Sequence, residues 1–231
     1  MKTIGLIGGM SWESTQTYYR LINQKVREEL GGLHSAKLVL YSVDFAEIEA
    51  LQHQGNWQAT GEILKEAAQS VESAGADFLI LCTNTMHKVA SQIEHAVNVP
   101  LLHIADATAN VLKRDEVSCV GLLGTRFTME QTFYVGRLQE HGIEVIVPDE
   151  SQRELVHSVI YNELCQGMVK SDSKSKYLDV VASLAERGAQ GVILGCTEIG
   201  LLIQGSDTEV KLYDTTEIHV EQAVQYAIDR G

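Results

Sequence analysis

Ile4-Gly5-Leu6-Ile7-Gly8 is answered 116 residues later by Val120-Gly121-Leu122-Leu123-Gly124. Gly75-Ala76-Asp77-Phe78-Leu79-Ile80-Leu81 is answered 113 residues later by Gly188-Ala189-Gln190-Gly191-Val192-Ile193-Leu194. In each copy an apolar run leads into a glycine turn, and a later apolar run leads into a short polar turn. Two matches at nearly one offset predict two similar lobes. With the remaining short apolar runs, the expected strands cover residues 3–7, 37–42, 78–81, 101–104, 119–123, 144–147, 192–194 and 210–213. Between them apolar residues recur at helical spacing, as in Tyr18, Leu21, Ile22, Val26 and Leu30. Strand–helix alternation of this kind makes βαβ units. The expected fold is therefore α/β, with two pseudo-symmetric lobes, each a parallel sheet flanked by helices. The offsets assign residues 1–98 with 214–231 to the first lobe and 99–213 to the second.

The 231 residues allow a substantial core, and 45% hydrophobic with 21% charged residues is the balance of a soluble globular chain. A net charge of −13 repels phosphate backbones and anionic membranes, so neither is an expected partner. A small anion remains possible where a site is locally positive. The four cysteines, 82, 119, 165 and 196, form no CxxC pair, which leaves zinc and thioredoxin-like chemistry without support. Cys119 lies in an apolar strand and Cys165 in a helical pattern, and both read as packing residues. No leader pattern precedes the first strand and no apolar run reaches membrane length, so the cytoplasm, where thiols stay reduced, is the expected location.

Ligand sites in parallel α/β sheets gather at the carboxyl ends of strands. There the first copy reads Cys82-Thr83-Asn84-Thr85-Met86-His87 and the second Gly195-Cys196-Thr197-Glu198-Ile199-Gly200. At the 113-residue offset Cys196 lies opposite Thr83, and the two are expected on opposite walls of a cleft between the lobes. Cys82, one residue earlier in an extended chain, should point into the sheet face. Each turn is expected to open a helix. Asn84, Thr85 and Thr197 would then join unpaired N–H groups in a carboxylate cradle. The same helix start would lower the Cys196 thiol from about 8.5 towards neutrality. The competing use of these Thr and Asn residues is simple N-capping.

The chain resembles the aspartate/glutamate racemase family along its whole length. The matching stretches are Gly8-Gly9-Met10, Val43-Asp44-Phe45, Asn84-Thr85-Met86-His87, Leu123-Gly124-Thr125, Gly195-Cys196-Thr197-Glu198 and Asp214-Thr215-Thr216. The Cys-Thr-Glu and Asn-Thr turns at equivalent strand ends discriminate best. The resemblance implies a small-molecule amino acid as substrate, held between the lobes without pyridoxal phosphate or metal, and often a homodimer. It implies two bases, one cysteine from each lobe, with the second-lobe cysteine serving the L enantiomer. Here the sequence departs from the family, because Thr83 stands where the first cysteine belongs. A hydroxyl is a far weaker base than a thiolate, so Cys196 should abstract a proton well and the Thr83 side should return one poorly.

Catalytic candidates are thus Cys196 and Thr83. Substrate-binding candidates are Met10, Gln52, Asn84, Thr85, Thr125, Thr197 and Glu198. Arg126 follows Thr125 at a strand end. Asp44 or Glu198 is a candidate for the substrate ammonium, with helix capping the competing use. Gln52, Arg153 and His157 are candidates for a distal carboxylate. His87 and His219 read as supporting or core residues. Other readings are a hydantoin racemase, maleate isomerase or malonate decarboxylase of the same superfamily, and a two-lobed ligand-binding protein without chemistry. Gly5-Leu6-Ile7-Gly8-Gly9 lacks the GxGxxG spacing of a dinucleotide site, and the sequence places no histidine base beside Cys196 for a cysteine hydrolase.

Overall fold

A computed structural model describes residues 1–229; positions 230 and 231, the end of the segment expected in the first lobe, lie outside the described residues. The chain divides into two compact units, Met1–Ile104 with the chain from His219 onward, and Ala105–Ile218.

The first unit holds a parallel three-stranded sheet in the order β2-β1-β3, formed by β1 (Ile4–Gly8), β2 (Leu38–Ser42) and β3 (Phe78–Leu81). Helix α1 (Trp12–Leu30) starts at Ser11, whose hydroxyl accepts the Ser14 N–H, and it buries Tyr18, Ile22 and Val26, the stripe set by 3.6-residue periodicity. That stripe packs with Ile4, Leu6, Phe78, Ile80 and Cys82 on one face of the sheet. On the other face Ile7, Leu79 and Leu81 pack with Ile48 of α2 (Phe45–His53), with Leu64, Ala68 and Val71 of α3 (Trp57–Ser73) and with Ile93 of α4 (Ala90–Glu94).

Helix α5 (Ile104–Arg114) leads from the first unit into the second, which holds a parallel sheet in the order β5-β4-β6-β7, formed by β4 (Cys119–Gly124), β5 (Glu144–Ile146), β6 (Val192–Gly195) and β7 (Leu212–Asp214). Its helices are α6 (Arg126–Glu130), α7 (Thr132–Glu140), α8 (Glu150–Asn162), α9 (Ser171–Glu186) and α10 (Ile199–Leu202). The last helix, α11 (Thr215–Ile228), begins in this unit; its later residues Val220, Ala223, Val224 and Ala227 pack on the first sheet beside α1.

The repeated glycines have one physical cause. A Cβ on Gly5 would come within 2.5 Å of Val71 on α3, and a Cβ on Gly121 within 3.0 Å of Leu184 on α9. In both units a helix side chain crowds the middle of the first-matched strand, so a Cβ would force a shift at Gly5 and make a tight contact at Gly121.

Two expectations need correction. No strand forms over 101–104: Leu101 makes a single parallel bridge to Leu79, closed by Leu79 N–H to Pro100 O and Leu102 N–H to Leu79 O, and Ile104 already begins α5. These bonds keep residues 99–104 with the first unit. The strand expected at 210–213 runs instead through Asp214, and Thr215 Oγ1 donates to Leu194 O at 2.9 Å, so the start of α11 stays with the second sheet. Both crossings therefore fall a few residues later than the repeat places them. Among the described residues no helix is long and apolar enough to cross a membrane.

Candidate active site

In the first unit β1 and β3 are neighbours, so the residues after Gly8 and after Leu81 emerge at the same sheet edge. Cys82 N–H donates to Ile7 O at 2.9 Å. Cys82 itself is fully buried in the core beside Ile4, Leu6 and Tyr18, and burial pushes its thiol well above its ordinary value. Thr83, Asn84 and Thr85 follow, each under 10% exposed. Met10 is buried in the core on the α3 side. Gln52 is buried, with Nε2 2.8 Å from the Met86 sulfur, while its Oε1 has no hydrogen-bond partner.

The helix expected at Asn84-Thr85 is instead a 3-10 segment, Thr85–Val89, and Asn84 makes no side-chain cap to it. Asp44 serves as the N-cap of α2, its Oδ1 accepting Ala46 N–H at 3.0 Å.

In the second unit β4 and β6 are neighbours, with Gly124 opposite Gly195. Thr125 caps α6 and lies 3.2 Å from the Thr128 hydroxyl. Cys196 is part-buried, and its Sγ donates to Glu198 Oε2 at 2.9 Å. Thr197 Oγ1 donates to that same oxygen at 2.7 Å, and Glu198 is 6% exposed. The charged candidates nearby are already engaged. Arg126 pairs with Glu154, while Arg153 Nε bonds Glu130 at 2.9 Å. His157 Nδ1 accepts the Arg126 N–H at 3.2 Å. Cys165, expected inside a helix, lies in a 3-10 turn, Leu164–Gln166, close enough to the Cys196 thiol to act on it electrostatically.

The thiol itself overturns an expectation. A helix start was expected to lower the Cys196 pKa, and the thiol is instead held well above its ordinary value. Burial is the largest cause, followed by the Glu198 charge, Cys165 and the hydrogen bond to Glu198. The helix that follows, α10, has four residues and too few aligned dipoles to oppose a carboxylate at 2.9 Å. Replacing Glu198 by glutamine keeps an acceptor for the thiol and removes the charge. Alkylation of Cys196 by iodoacetamide, followed on its own peptide by mass spectrometry, should then accelerate at pH 7.5, by about tenfold for each unit the pKa falls. An unchanged rate–pH curve would show that Glu198 does not control the thiol.

Beneath this turn a Cβ on Gly200 would come within 2.6 Å of Asp214 Oδ2. Asp214 Oδ1 accepts the N–H groups of Thr216 at 2.8 Å and Glu217 at 3.2 Å. Burial raises its carboxyl from 3.8 to about 6. A pKa higher in the folded than in the unfolded chain means that the neutral form is favoured by folding. That stability is lost as pH rises from about 4 through about 6. Asp214→Asn retains the Oδ1 acceptor, so it should be more stable than the parent chain at pH 7.5, by about 1 to 3 kcal/mol. The difference should shrink towards pH 4, and denaturant melts at the two pH values test this.

The fold, two units each built on a parallel sheet flanked by helices, is shared by known structures. The Asp/Glu/hydantoin racemase family model matches residues 7–223, and the chain belongs to that family. A provisionally assigned Asp/Glu racemase from Yersinia pestis is 56% identical, with a TM-score of 0.94 over 99% of this chain and 100% of that one. An aspartate racemase homologue from Pyrococcus horikoshii OT3 is 36% identical, with a TM-score of 0.88 over 99% and 100%. The broad specificity amino-acid racemase RacX of Bacillus subtilis (strain 168) is 24% identical over 92% of each chain.

Proposed function

We propose that the chain is a cofactor-independent amino-acid racemase acting on aspartate or glutamate in the cytoplasm, with Cys196 removing the α-proton of the L enantiomer and the Thr83 side serving weakly as the second acid and base. The observation that carries this reading is the Cys196–Glu198 pair at the end of β6, a thiol 2.9 Å from a buried carboxylate. The pair explains how a protonated thiol becomes a base only when substrate is present. A substrate ammonium against Glu198 opposes that residue's charge and lowers the thiol pKa, so the thiol gives up its proton to water before the α-proton is taken. The thiolate takes the α-proton, and the resulting enediolate is stabilised by donors from the Asn84-Thr85 and Thr197 turns. A proton then arrives on the opposite face from the Thr83 side, directly or through water. Met10, Gln52 and Thr125 complete the substrate-binding set in this reading, and the buried Gln52 Oε1 without a partner suits an ammonium or hydroxyl donor.

Two enantiomers have equal free energy, so both directions proceed and only the rates from each face differ. The working form in this reading is a homodimer. The edge strand β2 supports it, because its uncharged Leu38–Ser42 run leaves Leu40 and Tyr41 exposed, an edge that isolated proteins usually blunt. Sedimentation measures this directly. The activity is tested by incubating the protein with each enantiomer of the common amino acids and resolving products by chiral chromatography. Interconversion of the aspartate or glutamate enantiomers is expected. Racemisation confined to neutral amino acids would overturn the assignment of substrate.

A further inference from the structure

Three histidines far apart in sequence lie together and buried in the first unit. His87, His103 and His219 are at most 4% exposed, and the His87 ring centroid is 4.5 Å from that of His103 and 5.9 Å from that of His219. Hydrogen-bond partners assign the tautomers. The Ile104 N–H can only donate, and it meets His87 Nε2 at 3.3 Å, so Nε2 is the unprotonated nitrogen. His87 Nδ1 therefore carries the hydrogen and donates to Thr83 O at 2.9 Å. In His219 the assignment is reversed: Nε2–H donates to Leu102 O at 2.9 Å and Nδ1 accepts from the Tyr18 hydroxyl at 2.9 Å. Burial, together with the neighbouring His103 and His219, holds His87 well below its ordinary value, and burial lowers His219 to about 4, so both rings are neutral near pH 7.

The bond to Thr83 O has a counterpart on the other side of the same residue. Ser14 Oγ donates to Cys82 O at 2.7 Å. The peptide entering Thr83 is thus held by Ser14 and the peptide leaving it by His87, which fixes both soft dihedrals of Thr83. We propose that His87 is a positioning residue for the racemase reaction, its Nδ1–H holding the Thr83 carbonyl and so setting the direction of the Thr83 hydroxyl. This rests on the reading of Thr83 as the second acid and base. A buried apolar ring in place of His87 would fill the same space but would remove the donor to the Thr83 carbonyl.

The amide side chains separate the two ends of the ring. Asparagine places its Nδ2 near the position of imidazole Nδ1, so His87→Asn keeps the donor to Thr83. Glutamine places its amide near Nε2, so His87→Gln keeps a group for Ile104 and loses the donor to Thr83. With L-glutamate or L-aspartate in D₂O, two rates are followed: α-proton wash-out, which reports Cys196, and L-to-D inversion, which also needs the Thr83 face. In His87→Gln, inversion should fall about tenfold, the factor for one lost buried hydrogen bond, while wash-out stays within about twofold by the same reasoning; His87→Asn should keep both. Unchanged inversion in His87→Gln overturns the proposal, as does loss of inversion in His87→Asn to the same depth, or loss of both rates in step. Thr83→Ala is measured alongside. If it leaves inversion unchanged, the reading of Thr83 fails and the proposal with it; if it lowers inversion and His87→Gln does not, only the positioning role fails. Where His87→Gln yields no folded protein, Ser14→Ala releases the other side of Thr83 and should also lower inversion without lowering wash-out; unchanged inversion there overturns the proposal.

Discussion

Cys196→Ala is expected to abolish α-proton exchange from L-aspartate and L-glutamate, by about a thousandfold or more, while the fold is retained. That factor lies within the range general acid–base catalysis supplies. The contrast is Cys82→Ala. Cys82 is fully buried among Ile4, Leu6 and Tyr18, inside the core and away from the polar turn that follows it, and burial pushes its thiol up. Its replacement should cost about 1 kcal/mol of stability through a small cavity and leave most of the exchange rate. Wash-out of the α-proton and thermal melts of the two variants check both halves. If Cys82→Ala were the inactive one, the assignment of Cys196 opposite Thr83 would be wrong.

Thr83→Cys is expected to have the second largest effect, and in the opposite direction. With a thiolate available for one face of the α-carbon and only a hydroxyl for the other, the L enantiomer should lose its α-proton much faster than the D enantiomer. Placing a thiol at 83 restores a competent base to the second face. Exchange from the D enantiomer should rise by about tenfold to a hundredfold, and L-to-D conversion should rise with it. Equal rates for both enantiomers in the parent chain, with no gain in the variant, would show that Thr83 does not limit the second proton transfer and that water serves in its place.

The two sheets were legible because the same packing demand recurs. Gly5 and Gly121 each sit under a helix side chain, Val71 and Leu184, so both strands carry a glycine at the same place. The positions of Thr83 and Cys196 followed from strand ends that parallel pairing aligns. What the sequence did not convey were interactions of side chains with their surroundings. Leu101-Leu102-His103-Ile104 has the apolar character of a strand, but after a single bridge to Leu79 it turns into α5. The surroundings of the Cys196 thiol leave no mark in the spacing, since α10 is only four residues long and Glu198 turns back onto Cys196. Arg153 suits a distal carboxylate by its place in the sequence, but Glu130 of α6 already pairs with it. The histidine cluster had no signal at all, since residues 87, 103 and 219 share no spacing that a helix or strand would produce.

The most direct measurement is proton NMR of L-glutamate and L-aspartate incubated in D₂O with the unmodified protein, followed to steady state and repeated after alkylation of Cys196. Progressive loss of the α-proton signal from at least one of the two, abolished by alkylation, is the expected result. Retention of the α-proton in both, in a sample where calorimetry detects their binding, would contradict a racemase and leave a protein that holds an amino acid without acting on it.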